Sequence, residues 1–156
     1  MKKLILMMLV MATFTACGST LVPYAPKTNM PQDVAIKTIE QVSFEQHVKY
    51  RPEHVAVTPE YMHFSQGSTS RGVGIVPIRG VALQRSKLKS IQNRVYFNNM
   101  SGFRFYTKRN WFIVFIAGPR GEVLHRTYCY SREKATDFMD AVASLKRLNE
   151  GQTKPR

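Results

Sequence analysis

The chain has 156 residues, 44% of them hydrophobic, which suggests one domain with an ordinary hydrophobic core. Its formal net charge of +13 favours anionic neighbours such as lipid headgroups, phosphates, nucleic acid or an acidic protein. A solvated surface without a specific anion is the alternative. Only 10 residues are acidic, so the paired carboxylates of a glycoside hydrolase are hard to assemble.

The first residues have the pattern of an export signal. Lys2 and Lys3 precede an apolar run over residues 4–14, which is shorter than the roughly 20 apolar residues that cross a bilayer. A positive segment followed by a compact apolar run is typical of a secretory signal peptide, and we assign residues 1–16 to it. Its removal leaves 21 basic and 10 acidic side chains.

The end of this segment, Phe14-Thr15-Ala16-Cys17, resembles the lipobox of bacterial lipoproteins, in which small residues precede an obligatory cysteine. The family usually has Leu where Phe14 stands. The resemblance implies cleavage between Ala16 and Cys17, a diacylglycerol on the Cys17 thiol and an acyl chain on the new amino group. Apart from these lipids, we expect no cofactor. Several acyl chains on one residue give a stable membrane anchor.

The residue after the cysteine bears on location. In this family an Asp there commonly marks retention at the inner membrane, whereas this chain has Gly18. The resemblance therefore implies a lipid-anchored protein of the cell envelope, at the outer membrane facing the periplasm if the cell has two membranes.

The next segment, residues 17–31, contains Pro23, Pro26 and Pro31 and has little periodicity, so we expect a flexible tether that lifts the domain off the membrane. Residues 32–46 are expected to form a helix whose apolar face carries Ala35, Ile39 and Val42. A strand competes with this helix, because several apolar residues of the same region occupy even positions.

The middle of the chain is predicted to be rich in strands. Val55 and Val57 alternate with polar residues, and Pro59 interrupts the pattern, which indicates a turn, a bulge or an edge position. Residues 66–72 have the composition of a loop, and the apolar residues 73–83 contain Pro77, a second signal of an edge strand. Residues 84–90 are expected to form a basic loop, and residues 94–97 a strand.

A long antiparallel hairpin is predicted next. After a strand with Phe103, Phe105 and Tyr106, residues 111–118 are almost continuously apolar, as in a strand covered on both faces. A tight turn at residues 118–121 leads into a partner strand over residues 122–130. Cys129 has no disulfide partner if Cys17 is acylated, and we expect its thiol to lie in the core.

Residues 131–148 give the clearest helix of the chain, with Ser131 as its N-cap. Its apolar stripe is expected to cover the protein's own sheet, and a partner-binding or membrane-surface face is the alternative. Residues 150–156 are predicted to be a disordered tail. The stripe consists of Ala135, Phe138, Met139, Val142, Leu145 and Leu148.

The succession of a strand, a hairpin and a terminal helix over residues 94–148 resembles the pleckstrin-homology-like fold. That resemblance implies an α+β domain over residues 32–149, in which an antiparallel, strongly bent sheet or partial barrel is capped by a C-terminal amphipathic helix, with a short N-terminal helix. Another α+β domain with a helix on an antiparallel sheet is the alternative.

No catalytic constellation is found, so we do not expect an enzyme. His54 and His63 flank Pro59 and have acids nearby, but surface histidines are commoner than metal sites, and no metal is expected. His125 and Cys129 would be roughly 13 Å apart on a regular strand, too far for direct proton transfer. The glycines of the middle segment lack the lysine of a phosphate loop.

Clusters of basic residues are the remaining candidates for function. They indicate contact with an anionic membrane surface or an acidic envelope protein, and the export signal argues against nucleic acid. The expected role is a non-catalytic interaction module; a carrier or sensor with a small or lipid-like ligand in the barrel mouth is the alternative. The sequence indicates no oligomeric state. The candidate contact residues are Arg85, Lys87, Lys89, Arg94, Lys108 and Arg109.

Overall fold

The computed structural model describes residues 18–71 and 87–152. In this part of the chain an α+β fold is formed by two helices and two antiparallel sheets, which confirms the predicted fold class. The elements in chain order are β1 (Thr20–Leu21), α1 (Gln32–Phe44), β2 (His54–Val57), β3 (Tyr61–Arg71), β4 (Lys87–Tyr96), β5 (Gly102–Lys108), β6 (Trp111–Ala117), β7 (Val123–Cys129) and α2 (Arg132–Gln152).

The strands form two separate sheets rather than one bent sheet. A four-stranded sheet has the order β1-β5-β6-β7, and a three-stranded sheet has the order β2-β3-β4. The predicted partial barrel is wrong in this respect, because the sheets do not close into a barrel. A 3-10 turn at Phe97–Asn99 leads from β4 of one sheet to β5 of the other, so each sheet is built from strands that are neighbours in sequence, apart from β1.

Each of the two hairpins of the four-stranded sheet has a residue with a positive φ in its turn. Arg109 adopts a φ of 54° between β5 and β6, and Gly121 a φ of 79° between β6 and β7. A positive φ costs glycine nothing, which accounts for its place in the second turn. Along the hairpin of β6 and β7, pairing runs from Ala117 with Val123 to Phe112 with Cys129. The predicted hairpin and its turn are thereby confirmed.

The core lies between the helices and the sheets. Phe138, Met139 and Val142 of α2 are fully buried and pack with Phe105 and Val114 of the four-stranded sheet. The whole predicted stripe is buried or half-buried, so α2 covers the protein's own sheet as expected. The helical prediction for residues 32–46 is also confirmed over Gln32–Phe44, and its competitor, a strand, is wrong.

The predicted tether is largely wrong, because residues 20–30 lie against the domain. β1 pairs with β5, and the Tyr24 hydroxyl donates a hydrogen bond to Asp140 Oδ1 at 2.8 Å. The amide of Met30 donates to Ser144 Oγ at 3.1 Å. We call residues 20–30 the strap. The strap is therefore not a flexible tether, because hydrogen bonds hold it against β5 and α2.

Other boundaries differ from the predictions. Residues 66–71 and 87–90, expected as loops, belong to β3 and β4, whose pairing extends from Tyr61 with Tyr96 to Arg71 with Lys87. α2 continues to Gln152, beyond the predicted domain end at residue 149. The signal peptide with Ala16 and Cys17, the whole predicted strand over residues 73–83, and Arg85 lie outside the described residues. Within the described ranges, neither helix is long and apolar enough to cross a membrane.

Candidate functional site

One face of the four-stranded sheet points away from the helices. Because side chains alternate across a strand, the residues between those that enter the core must lie on this opposite side. Cross-strand pairing aligns them in rows: Lys108 beside Trp111, Tyr106 beside Ile113 and Tyr128, and Arg104 beside Phe115 and Arg126. We call these eight residues, with Tyr130, whose ring centroid lies 4.6 Å from that of Trp111, the outer face.

The connector after α1 covers one end of the outer face. The Tyr50 ring stacks on Tyr128 at 3.9 Å with an interplanar angle of 15°, and Trp111 directs an edge contact to His47 at 5.8 Å. Gln46, almost fully buried, accepts a hydrogen bond from the Tyr128 amide through its side-chain oxygen at 2.9 Å. This bond satisfies a backbone donor on β7, and it holds the connector in place over the sheet.

Between the connector and β5 the outer face forms an open groove of about 730 Å³. Its floor is aromatic and aliphatic, and Ile113 is buried beneath the surrounding rings. Five basic side chains line it, and none of the described residues that line it is a carboxylate. The basic residues are Lys49, Arg104, Lys108, Arg109 and Arg126.

Some of the cations are held by the aromatic floor. The Arg126 guanidinium lies 4.7 Å above the Phe115 ring and donates to the Tyr128 hydroxyl at 3.1 Å. Arg104 donates to the carbonyl oxygen of Gly121. The two ion pairs of the described chain are Lys134 with Glu45 and Lys146 with Glu150, so neither neutralises a cation of the groove. The groove therefore presents uncompensated positive charge beside apolar rings.

The structure brings together only part of the predicted contact set. Lys108 and Arg109 line the groove. Arg94 lies on β4 of the other sheet, with its guanidinium 4.7 Å above Tyr61, and its pKa is raised chiefly by the hydrogen bond to Tyr96. Lys87 and Lys89 are on β4, away from the strands that form the groove, and only their backbone is described.

Several groove residues were missed by the prediction. Arg126 and Tyr128 share one face of β7, and their alternation in the sequence was the available signal. Nothing local indicated that Lys49 and Tyr50 would fold over that face, because the connector is about 80 residues away from β7 along the chain.

A second cavity of about 580 Å³ lies where β7 meets β3 and β4. The His125 ring stacks on Phe64 at 3.9 Å, and the Asn93 amide nitrogen lies 3.4 Å from His125 Nδ1 and donates to the Leu124 carbonyl at 2.8 Å. Nε2 of His125 has no hydrogen-bond partner among the described residues. Burial lowers the pKa of His125 to about 4, so its imidazole is neutral at physiological pH.

Cys129, His54 and His63, which the sequence offered for chemistry, line neither the groove nor the second cavity. Cys129 is buried, and burial raises the pKa of its thiol to about 12, so the reactive thiolate is scarce. His54 and His63, considered for a metal, belong to no group of three metal-ligating side chains within the described ranges.

Comparison of the chain with protein-family models, with curated proteins and with solved structures found no match. Function therefore has to be inferred from the geometry of the groove and the cavity.

Proposed function

We propose that the protein is a non-catalytic binding module of the cell envelope, held on a membrane by lipid at Cys17, that binds an anionic partner on its outer face. The observation that carries this proposal is the groove itself. Five cations line it beside aromatic rings, without a carboxylate among the described lining residues.

The physical reason is electrostatic. Cations gathered along one cleft repel each other, and the cleft walls keep part of the screening water away from them. An anionic group that enters the groove relieves this repulsion, while Trp111 and Tyr106 offer apolar surface to the rest of the ligand. Both contributions act on the same ligand, which favours anions that also carry apolar or planar parts.

The envelope location is supported by the residues that resemble a lipobox, from Phe14 to Cys17. The pleckstrin-homology-like identity is supported only by the order of β5, β6, β7 and α2, in which a meander of strands precedes a C-terminal helix. We retain it as a proposal about topology, since the function proposed for the outer face does not depend on it.

Counting free thiols tests the anchor. If Cys17 is lipidated, the purified full chain contains one free thiol, that of Cys129, and it reacts with a disulfide reagent only after unfolding in guanidinium. A variant that lacks residues 1–16 and carries Cys17→Ser should also show one thiol, but should be recovered in the soluble fraction instead of the membrane fraction. Two thiols per unfolded native chain would contradict the anchor.

Binding to a soluble polyanion tests the groove. We expect the native protein to bind dextran sulfate but not neutral dextran, and to bind less tightly as salt is added. A Lys108→Glu/Arg126→Glu variant should lose this binding. A Lys37→Glu/Arg147→Glu variant, with the same change of net charge on exposed helix positions, should keep it. Equal loss in both variants would show that net charge alone, rather than the groove, drives binding.

A carrier or sensor is the second candidate, and the cavity beside His125 favours it. A buried Nε2 without a hydrogen-bond partner destabilises the folded state unless a ligand or a water molecule forms a hydrogen bond with it. The ligand would enter between the two sheets rather than a barrel mouth. Native mass spectrometry of the gently extracted protein would detect a retained small molecule, and His125→Phe should abolish its retention.

A further inference from the structure

The segment next to the proposed anchor is part of the four-stranded sheet. Thr20 pairs with Thr107 and Leu21 with Tyr106, and the Val22 amide donates to the Phe105 carbonyl at 2.7 Å. The strap then continues over α2, where Lys27 donates its amide proton to Asp140 at 2.8 Å. The pairing of the strap with the sheet therefore begins at Thr20, three residues after Cys17 in the sequence.

Chain geometry limits how far the domain can stand from its anchor. Three residues of extended chain span at most about 11 Å, so the Cα of Thr20 must lie within that distance of the Cα of Cys17. Ser19, in this short stretch, lines the groove. With the acyl chains of Cys17 inserted in a bilayer, the β1 edge of the outer face must lie close to the headgroups.

The outer face has the composition of a membrane-surface contact. Leu21 is 60% exposed and lies on the same side of the sheet as its partner Tyr106. At the other edge of the sheet Val123 is 44% exposed, and Tyr130 is 54% exposed. Tryptophan and tyrosine are enriched at the interface of bilayers with water, and lysine and arginine bind anionic headgroups there.

We propose that the outer face lies on the bilayer that holds the anchor, with Lys108, Arg109 and Arg126 on anionic phospholipid headgroups and Trp111 at the interface. This inference rests on the proposed lipid anchor and anion-binding face, and it names the partner as the anchoring membrane itself. The domain is therefore held flat against the membrane, and α1 and α2, on the opposite side of the sheet, face away from it.

Trp111 is a native reporter for this arrangement, because it is the single tryptophan of the chain. The full lipidated chain is reconstituted in vesicles of phosphatidylcholine mixed with phosphatidylglycerol, in which a fraction of the lipid carries a nitroxide in the headgroup region. We expect the nitroxide to quench Trp111, and the vesicles to reduce its quenching by aqueous acrylamide. In vesicles of phosphatidylcholine alone, both effects should be weaker.

Two variants distinguish binding of the outer face to the membrane from general attraction of a positively charged protein to anionic lipid. Lys108→Glu/Arg126→Glu should lose the nitroxide quenching, and Lys37→Glu/Arg147→Glu should retain it. In a soluble variant that lacks residues 1–16 and carries Cys17→Ser, each cation near an anionic surface contributes a factor of about five to vesicle partitioning. The double change on the outer face should therefore lower partitioning by at least about 25-fold.

The outcomes distinguish the two proposals. If the lipidated protein binds dextran sulfate but Trp111 shows no lipid quenching and stays fully open to acrylamide, the face is not on the membrane. The binding function then stands, and the membrane arrangement is wrong. If Cys17 carries no lipid, the proposed anchor fails first, and the membrane arrangement fails with it.

Discussion

His125 is a buried titratable residue whose protonation would destabilise the folded state. Its ring is stacked on Phe64 and buried beside Asn93, and no acid faces it among its described contacts. Protonation would place a charge in this apolar surrounding without a counter-ion. The residue is retained as a neutral ring, which matches its apolar neighbours in shape but remains sensitive to acid.

We predict that acid destabilises the protein through His125. Its pKa falls from 6.5 in the unfolded chain to about 4 in the fold, so the unfolded state binds more protons within that window. Stability is therefore complete above about pH 6.5 and decreases as the pH falls to 4, by about 3 kcal/mol across the window. Urea unfolding at a series of pH values measures this loss.

A His125→Phe variant is the control for that prediction, since it keeps an aromatic ring against Phe64 and removes the titrating group. The difference between native protein and variant should grow steadily as the pH falls from 6.5 to 4. Glu45, whose pKa is lowered chiefly by its hydrogen bond with Lys134, also loses stabilisation in acid but does so in both proteins. Parallel pH profiles of the two proteins would assign the acid sensitivity to other groups.

Among the secondary-structure elements, the strap shows how a proline-rich segment becomes part of a fold. The Tyr24 ring meets Phe105 edge-on at 6.5 Å, and its hydroxyl donates to both oxygens of Asp140. Burial, together with the hydrogen bond to Asp140, raises the pKa of Tyr24 to about 12, so the hydroxyl stays protonated and remains a donor. Tyr24 therefore fastens the strap to α2.

We predict that Tyr24→Phe loosens the strap without unfolding the domain. The lost hydrogen bond should lower the free energy of unfolding by about 1 kcal/mol, because the group is only half-buried. Hydrogen exchange at the Val22 amide, which bonds to Phe105, should accelerate more than exchange in the middle of α2. Tyr96→Phe, an exposed tyrosine on the other sheet, is the control and should leave Val22 unchanged. An unchanged Val22 amide in Tyr24→Phe would mean that β1 pairing alone holds the strap.

Elements whose signal is local could be predicted from the sequence. The stripe of α2 and the hairpin around Gly121 depend on spacing within one segment, and both were found at the expected places. β3 and β4 were shortened in the prediction, because residues 66–71 and 87–90 are polar and become strands only by pairing with each other.

The candidate site was predicted only in part, because several of its residues come together only through contacts between distant segments of the chain. Lys108 and Arg109 were expected to contact an anion, whereas Arg126 and Tyr128 were missed although their alternation places them on one face of β7. The pairing of β1 with β5 and the stacking of Tyr50 on Tyr128 join residues about 80 positions apart, and no local pattern announces such contacts. The groove is a property of the assembled sheet and connector.

At the scale of the whole molecule, positive charge is in large excess. After removal of residues 1–16 the chain keeps 21 basic and 10 acidic side chains, and both ion pairs of the described ranges involve helix residues or the end of α1. The cations of the groove thus remain available to a ligand. The same excess should weaken the fold, because like charges repel more strongly in the compact state than in the unfolded chain.

Because the positive charge favours anion binding but weakens the fold, we predict that added salt raises the stability of the protein and lowers its affinity for an anion. The distance over which charges interact falls from about 30 Å at 0.01 M salt to about 10 Å at 0.1 M salt. Melting temperature should therefore rise with sodium chloride by a few degrees, since about 1 kcal/mol corresponds to roughly 4 °C for a domain of this size. Affinity for dextran sulfate should fall over the same range.

A single substitution tests the common origin of both effects. Lys108 lies beside Arg109 on the rim of the groove, so Lys108→Glu replaces a repulsive contact with an attractive one. The variant should melt at a higher temperature than the native protein at low salt, by an amount that shrinks as salt is added, and it should bind the polyanion more weakly. Lys37→Glu, on the exposed side of α1, should change binding little.

A lower melting temperature for Lys108→Glu at low salt would show that repulsion between the groove cations does not destabilise the fold. Higher stability together with weaker binding would show that the protein retains the groove cations, at a cost in stability, for contact with an anion.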